Sequence, residues 1–303
     1  MPKKNTGEQI FSFLCSKLLS KETKKKSERL IVLFAIFSFL VHLLIIFLVK
    51  VDVIKTYPES NLLNDPIGAI YTPFLFILIY EVYLLVYYLP KSITSYVGKQ
   101  YEIITLIIIR RLFKDLANLE ITSDWFQQKN DLQFSYDLVA TLVLFFLIYI
   151  FYRIRDEGRK IKTNPEFETE NYIRKKKMIA LMLVPVLLGL AIYSLFHWVW
   201  KFNSLSQVFE SMKDVNKIFF SIFFTILILT DVLLLLLSLF YTDKFNIVIR
   251  NSGFIISTIL IRLSFGTEGF LNPLLIIIAV LFGILLLLIS NKYDKHILPP
   301  RKS

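Results

Sequence analysis

The chain has 303 residues, of which 55% are hydrophobic and 28 are Phe, and its mean hydropathy is +0.59; several apolar runs reach membrane-spanning length, which excludes an ordinary soluble domain. The formal charge of +11 does not by itself imply nucleic acid, since the Lys and Arg of a membrane protein gather on the cytoplasmic side. A single cysteine, Cys15, excludes an internal disulfide and a Cys-rich metal or iron–sulfur centre, and three histidines leave little for metal chemistry.

Residues 1–29 form a basic N-terminal arm. Its apolar part is interrupted by polar residues and followed by more lysines, which is not the order of a cleavable signal, so the arm is expected to be retained. Ile10, Phe11, Phe13, Leu14 and Leu18 fall at roughly helical spacing. That pattern suits a short helix on the inner membrane surface, with a disordered basic tail as the alternative, and Cys15 near the apolar face is a candidate for lipidation.

Beyond the arm, apolar segments at 30–50, 68–90, 136–153, 178–200, 217–241 and 273–290 read as spanning helices. Two shorter segments, 100–117 and 251–265, carry arginine. If the first failed to cross, the stretch 153–177, with nine Lys and Arg, would be exported; if only the second failed, the basic tail would be. Both are therefore expected to cross, giving an all-α polytopic bundle of eight spans with both termini cytoplasmic. That topology leaves 25 Lys and Arg on the inner side and 4 in the outer loops, which accounts for the net charge through the positive-inside tendency.

An internal repeat lies within the spans. "YEIITLIIIRRLF" (101–113) matches "GFIISTILIRLSF" (253–265) in its order of isoleucines, hydroxyl residue, aliphatic run, arginine and phenylalanine. Upstream, "IYEVYLLVYYL" (79–89) parallels "LTDVLLLLLSLF" (229–240), and downstream two apolar stretches each run into a basic exit. The chain therefore divides into a first four-helix repeat at 30–153, a basic cytoplasmic linker at 154–177, a second repeat at 178–290 and a cytoplasmic tail at 291–303. An even helix count gives both repeats the same orientation, with an axis along the membrane normal.

Charges at mid-membrane cost about 2.5–3.5 kcal/mol on insertion scales, so each needs a partner or water. Counting from the inner ends of the spans puts Glu81 at the depth of Arg110, and Asp231 at the depth of Arg262. Each repeat is thus expected to pair an acid on its second helix with an arginine on its third. Arg111 also has Asp115 four residues on, while Lys114 sits four after Arg110, a like-charge neighbour that calls for a nearby acid, with Asp137 a candidate, an aqueous cavity or a bound anion. Tyr80, Tyr83, Tyr87 and Tyr88 suit a polar seam around Glu81, lipid headgroups or plain packing. His42 and His197 lie on corresponding helices at different depths, which disfavours a shared haem and leaves a proton role or hydrogen-bonded packing. Pro185 is a candidate kink, and "FHWVWKF" at 196–202 suits an aromatic interface belt.

The sequence has no phosphate-binding glycine loop, no metal-ligand His spacing and no nucleophile with an evident base. Neither an enzyme nor a cofactor or metal protein is therefore expected. The arginines also lack the every-third-residue repeat of a voltage-sensing helix. Two functions remain in view. One is a transport protein, an ion or proton channel or a secondary transporter, with Glu81, Arg110, Arg111, Asp231 and Arg262 near the pathway. The other is a non-transporting scaffold or sensor subunit. The expected partners are the bilayer, with anionic lipid at its inner face, and a second copy or another membrane protein; nucleic acid is not expected.

Overall fold

The computed structural model describes residues 6–51, 53, 69–116, 129–161, 170–200, 205–267 and 269–297. Among these the chain is all-helical, with no strand. The helices are α1 (Thr6–Leu18), α2 (Lys21–Lys50), α3 (Tyr71–Tyr88), α4 (Ile93–Leu116), α5 (Lys129–Ile161), α6 (Glu170–Trp200), α7 (Leu205–Tyr241), α8 (Phe245–Ser264) and α9 (Leu271–Ile297). Five stretches are long and apolar enough to cross a membrane: Lys21–Lys50, Asp131–Arg159, Ile222–Tyr241, Phe245–Ser264 and Leu271–His296. A shorter apolar stretch covers Thr72–Tyr88.

Local chemistry sets the ends of these helices. Ser20, in extended backbone geometry, breaks the chain between α1 and α2, and its hydroxyl accepts the Thr23 N–H at 3.0 Å, the usual role of a serine N-cap. Glu22 in the first turn of α2 complements the helix dipole. Pro90 forbids continuation of α3, and Ser92 opens α4, its carbonyl accepting the Tyr96 N–H at 3.0 Å. Between α8 and α9, Gly269 turns the chain at φ 67°, a left-handed position that glycine takes without a Cβ clash.

Several helices outrun the apolar segments read from sequence. α5 continues to Ile161 and α6 starts at Glu170, so Arg153, Arg155, Arg159, Arg174, Lys175, Lys176 and Lys177 are helical, and residues 162–169 of the basic stretch lie outside the described residues. Basic residues are good helix formers, so the helix carries on past the apolar window. The arm follows the same rule: residues 6–18 form α1, and its lysines at 21–26 begin α2. α6 runs through Pro185, which removes one backbone donor.

By compactness the chain forms two units, Met1–Pro90 with Lys177–Phe223, and Lys91–Lys176 with Phe224–Ser303. In the first, α2 packs along α3 and α1 touches α2. Tyrosines of α3 bind the α1–α2 elbow: Tyr83 Oη donates to the Leu18 carbonyl at 2.9 Å, an end-of-helix acceptor without an intrahelical partner, and Tyr80 Oη donates to Glu28 Oε2 at 3.0 Å. Lys24 lies over the rings of Tyr87 and Tyr88. These contacts give the four tyrosines a packing role at the elbow.

In the second unit, α4 packs on α5, α5 on α9, α9 on α8, and α8 on α4, closing a four-helix ring. Its centre is apolar: Ile104, Ile108, Leu144, Phe151, Phe254, Ile261, Ile276 and Ile284 are all buried. Tyr101 Oη donates to Ser257 Oγ at 2.7 Å, and Ser257 Oγ donates in turn to the Ala279 carbonyl at 2.6 Å, stitching α4, α8 and α9. A Cβ added to Gly283 would lie 2.0 Å from the Tyr101 hydroxyl, so α9 can approach α4 there only without a side chain. Tyr101 meets Ser257, and further along α4 Arg111 meets Asn272, which itself bonds the Ser264 carbonyl, so α4 and α8 run in the same direction.

The outer surface of this unit is greasy. Phe145 is 72% exposed and Phe240 77% exposed, whereas Asp231 and Arg262 are nearly fully buried. Large exposed apolar faces around a bundle that buries an ion pair reverse the arrangement of a water-soluble fold and are compatible with a multi-pass membrane protein.

Candidate functional site

Two buried ionic networks stand out, both in the second unit. The first is built on α7, α8 and α4. The turn at 242–244 folds α7 and α8 into an antiparallel hairpin, so residues counted back along one meet residues counted forward along the other. Ser238 accepts from Asn251 Nδ2 at 2.8 Å, and seven residues on along each helix Thr258 Oγ1 donates to Asp231 Oδ2 at 3.1 Å. Seven residues are close to two turns, which holds both pairs on one seam. Arg262, one turn beyond Thr258, reaches the same carboxylate with Nη2 at 2.9 Å.

From α4, Tyr96 Oη donates to Asp231 Oδ1 at 3.0 Å, and Gln100 takes Arg262 Nη2 on its Oε1 at 2.8 Å. Gln100 Nε2 faces both Asp231 oxygens at the longer distances of 3.4 and 3.5 Å. Asp231 thus has donors on each oxygen. The Arg262 and Asp231 side chains are 2% and 1% exposed. Such a pair persists in low dielectric only because the surrounding hydrogen bonds offset much of its desolvation. Arg262 Nη1 nevertheless has no hydrogen-bond partner among the described residues.

The second network joins α4, α5 and α9. Arg111 forks onto Asp137, Nε to Oδ2 and Nη2 to Oδ1, the latter at 2.6 Å. Nη2 also donates to Asn272 Oδ1 at 2.9 Å, and Gln133 Nε2 donates to Asp137 Oδ1 at 3.0 Å. Asn272 Nδ2 donates to the Ser264 carbonyl at 2.6 Å. A bidentate guanidinium–carboxylate pair fixes orientation as well as distance, so this network locks the α8–α9 turn to the ends of α4 and α5.

The other expected site residues fall as follows. Glu81 is buried on α3, in the first unit, and Arg110 and Arg111 lie on α4, in the second. Asp115 is half-buried on α4, and the Lys114 side chain lies outside the described ones. His42 is buried on α2, where its Nδ1 meets Thr72 Oγ1 of α3, a packing contact between neighbouring helices. His197 lies on α6 with its side chain outside the described set. On α1, burial pushes the half-buried Cys15 thiol upward, with Lys177 pulling it back, an environment that keeps a thiol protonated and slow to react. No group of His, Cys, Asp and Glu suited to a metal ion occurs among the described residues.

Tyr96, Gln100, Thr258, Gln133 and Asn272 complete the networks but do not stand out from the sequence. Their signal is positional: Tyr96 and Gln100 are four apart on α4, and Asn251, Thr258 and Arg262 recur at seven and four on α8, polar residues on one helical face in an apolar context. No protein-family model, no curated protein and no solved structure matches this chain.

Proposed function

We propose that the chain is an integral membrane transport protein of eight spans, built as two tandem four-helix repeats at 30–153 and 178–290, with both termini and the basic stretch 153–177 on the cytoplasmic side. The observation that carries the reading is the Asp231–Arg262 pair, buried in the bundle and wrapped by Tyr96, Gln100 and Thr258. Ionisable groups in that position are rare in membrane proteins and mark pathways by default. Support for the repeat comes from the shared direction of α4 and α8, its two third helices. It comes also from the way the hairpins α4–α5 and α8–α9 pack, like helix against like helix. In this reading the polar face of α7, α8 and α4, running from Asn251 past Asp231 to Arg262, is the pathway wall, and anionic lipid lies against the basic inner ends.

The test is flux through the purified protein in liposomes, across several ions and a pH gradient, for the wild type and for Asp231→Asn with Arg262→Gln. The double variant removes both charges together, so it is expected to fold, and it should lose most of its flux or change its ion preference. A folded double variant with wild-type flux would sink the pathway.

The tight apolar centre of the second unit, with its Tyr101, Phe151 and Phe254 ring cluster, favours a second reading. In it the bundle is a scaffold or sensor subunit, and the basic inner ends hold anionic lipid or a cytoplasmic partner. Absence of flux for every ion, with lipid binding retained, is its expected outcome.

A further inference from the structure

The two buried arginines are used differently. Arg111 spends its fork on Asp137, with Asn272 as an added acceptor. Arg262 binds Asp231 through Nη2 alone, and Gln100 Oε1 takes that same nitrogen. The carboxylate is held in this one-pronged pose from its other side. Tyr96 donates to Oδ1 and would have to yield before Asp231 could turn toward Nη1, while the Thr258 hydroxyl shares its one proton between Oδ2 at 3.1 Å and the Ile255 carbonyl at 3.0 Å. Because a guanidinium does not deprotonate in proteins, Nη1 always presents its N–H groups and a share of positive charge. Buried without an acceptor, such groups forfeit the hydrogen bonds they had in water, and a charged donor forfeits the most. This donor set keeps the natural counter-ion off one prong and leaves that buried prong with unused hydrogen-bonding capacity.

We infer that Arg262 Nη1 is the docking point for a small monovalent anion such as chloride, and that the anion enters together with one proton taken up by Asp231. The acceptor class follows from the donors, since charge-assisted N–H bonds favour an anion over a neutral acceptor. The proton follows from electroneutrality. Asp231 and Arg262 together carry no net charge, so an anion added alone would leave the buried site at minus one, which low dielectric penalises steeply. A proton on Asp231 restores neutrality. The groups facing this carboxylate are Tyr96 and Gln100 from α4 and Thr258 and Arg262 from α8, so among the described residues Asp231 is the one carboxylate placed to receive it. The balance is one anion and one proton taken up together, the anion on Arg262 Nη1 and the proton on an Asp231 oxygen, whose contacts with Arg262 Nη2 and its other donors loosen as it becomes neutral. The inference names the substrate class of the pathway proposed above, and it rests on that reading for transport but not for binding.

Binding and transport are therefore tested separately. The full-length protein in lipid nanodiscs is titrated calorimetrically with chloride against a gluconate background, at mildly acidic and mildly alkaline pH, with proton uptake followed by an indicator dye. The expected result is chloride binding that is tighter at acidic pH and takes up one proton. Asp231→Asn, the fixed neutral form, should bind chloride with no pH dependence. Adding Arg262→Gln to that variant should weaken binding about tenfold or more, the loss of a charge-assisted contact. If Asp231→Asn unfolds in gluconate, chloride should restore it and raise its unfolding temperature, and Asp231→Asn with Arg262→Gln should show no such rise. Chloride binding that is absent, equal at both pH values in the wild type, or unchanged by Arg262→Gln overturns the inference, as does indifference of the Asp231→Asn unfolding temperature to chloride. Chloride binding without flux would keep the site and remove the transport reading. Flux of another ion without chloride binding would do the reverse.

Discussion

Arg111 and Arg262 show how much a guanidinium's surroundings decide. Counting residues from the membrane edge brings Asp231 beside Arg262, because neighbouring helices joined by a three-residue turn must share depth, and the two side chains are in contact. The same count cannot find the contact of Arg111 with Asp137, which lies 26 positions on along the chain, nor the part played by Gln100, which comes from a helix more than 130 positions away from Asp231. Side-chain pairing across distant helices depends on packing that no local pattern encodes. The fork onto Asp137 carries its own expectation. Arg111→Gln leaves a fully buried carboxylate without its cation, so the variant should lose about 3–5 kcal/mol in denaturant unfolding. Arg111→Gln with Asp137→Asn should recover most of that loss, and should leave chloride affinity at the Arg262 site unchanged.

At the level of helices, hydropathy finds middles and misses ends. α2, α5, α6 and α7 all extend beyond their apolar windows into basic or mixed sequence, where the chain remains helical because Lys, Arg and Glu sustain a helix as well as leucine does. What sequence periodicity also misses is where two helices touch. Gly98, Gly253 and Gly283 each sit where an added Cβ would meet a side chain at under 3.0 Å, from Phe151, Leu286 and Tyr101 in turn. The Gly283 contact is the least forgiving, since Tyr101 is held by Ser257 and packed edge-on to Phe151. Gly283→Ala should therefore destabilise the protein by about 1–3 kcal/mol through overpacking. Tyr101→Phe in the same chain removes the clashing oxygen and should return part of it, read as unfolding temperature of the two variants against Tyr101→Phe alone.

For the whole molecule, the compact units do not follow chain order: each takes helices from both halves of the sequence. The proposed repeat is a rhyme in the sequence, whereas the gathering of α4, α5, α8 and α9 into one ring needs long-range contacts to reveal it. The orientation proposed for the bundle has its own check. In a Cys15→Ser background, Thr169→Cys, which lies outside the described residues, should stay unlabelled by an impermeant thiol reagent in intact cells and react once the membrane is opened. Labelling in intact cells would invert the topology.

The ring has a consequence for how the protein is made. α4 is not among the stretches apolar enough to cross on their own, and its polar groups Tyr96, Gln100 and Arg111 meet their partners on α5, α7, α8 and α9, all synthesised later. In the proposed topology α4 emerges before the helices that carry the partners of Tyr96, Gln100 and Arg111, so its stable insertion is expected to await the C-terminal hairpins. A nascent chain truncated after residue 200 should therefore leave a glycosylation acceptor placed between α4 and α5 unmodified, and the full-length chain should modify it. The last helices made are then chaperones in cis for one of the first, and a premature stop anywhere in α8 or α9 should send the whole product to quality control rather than yield a shorter working protein.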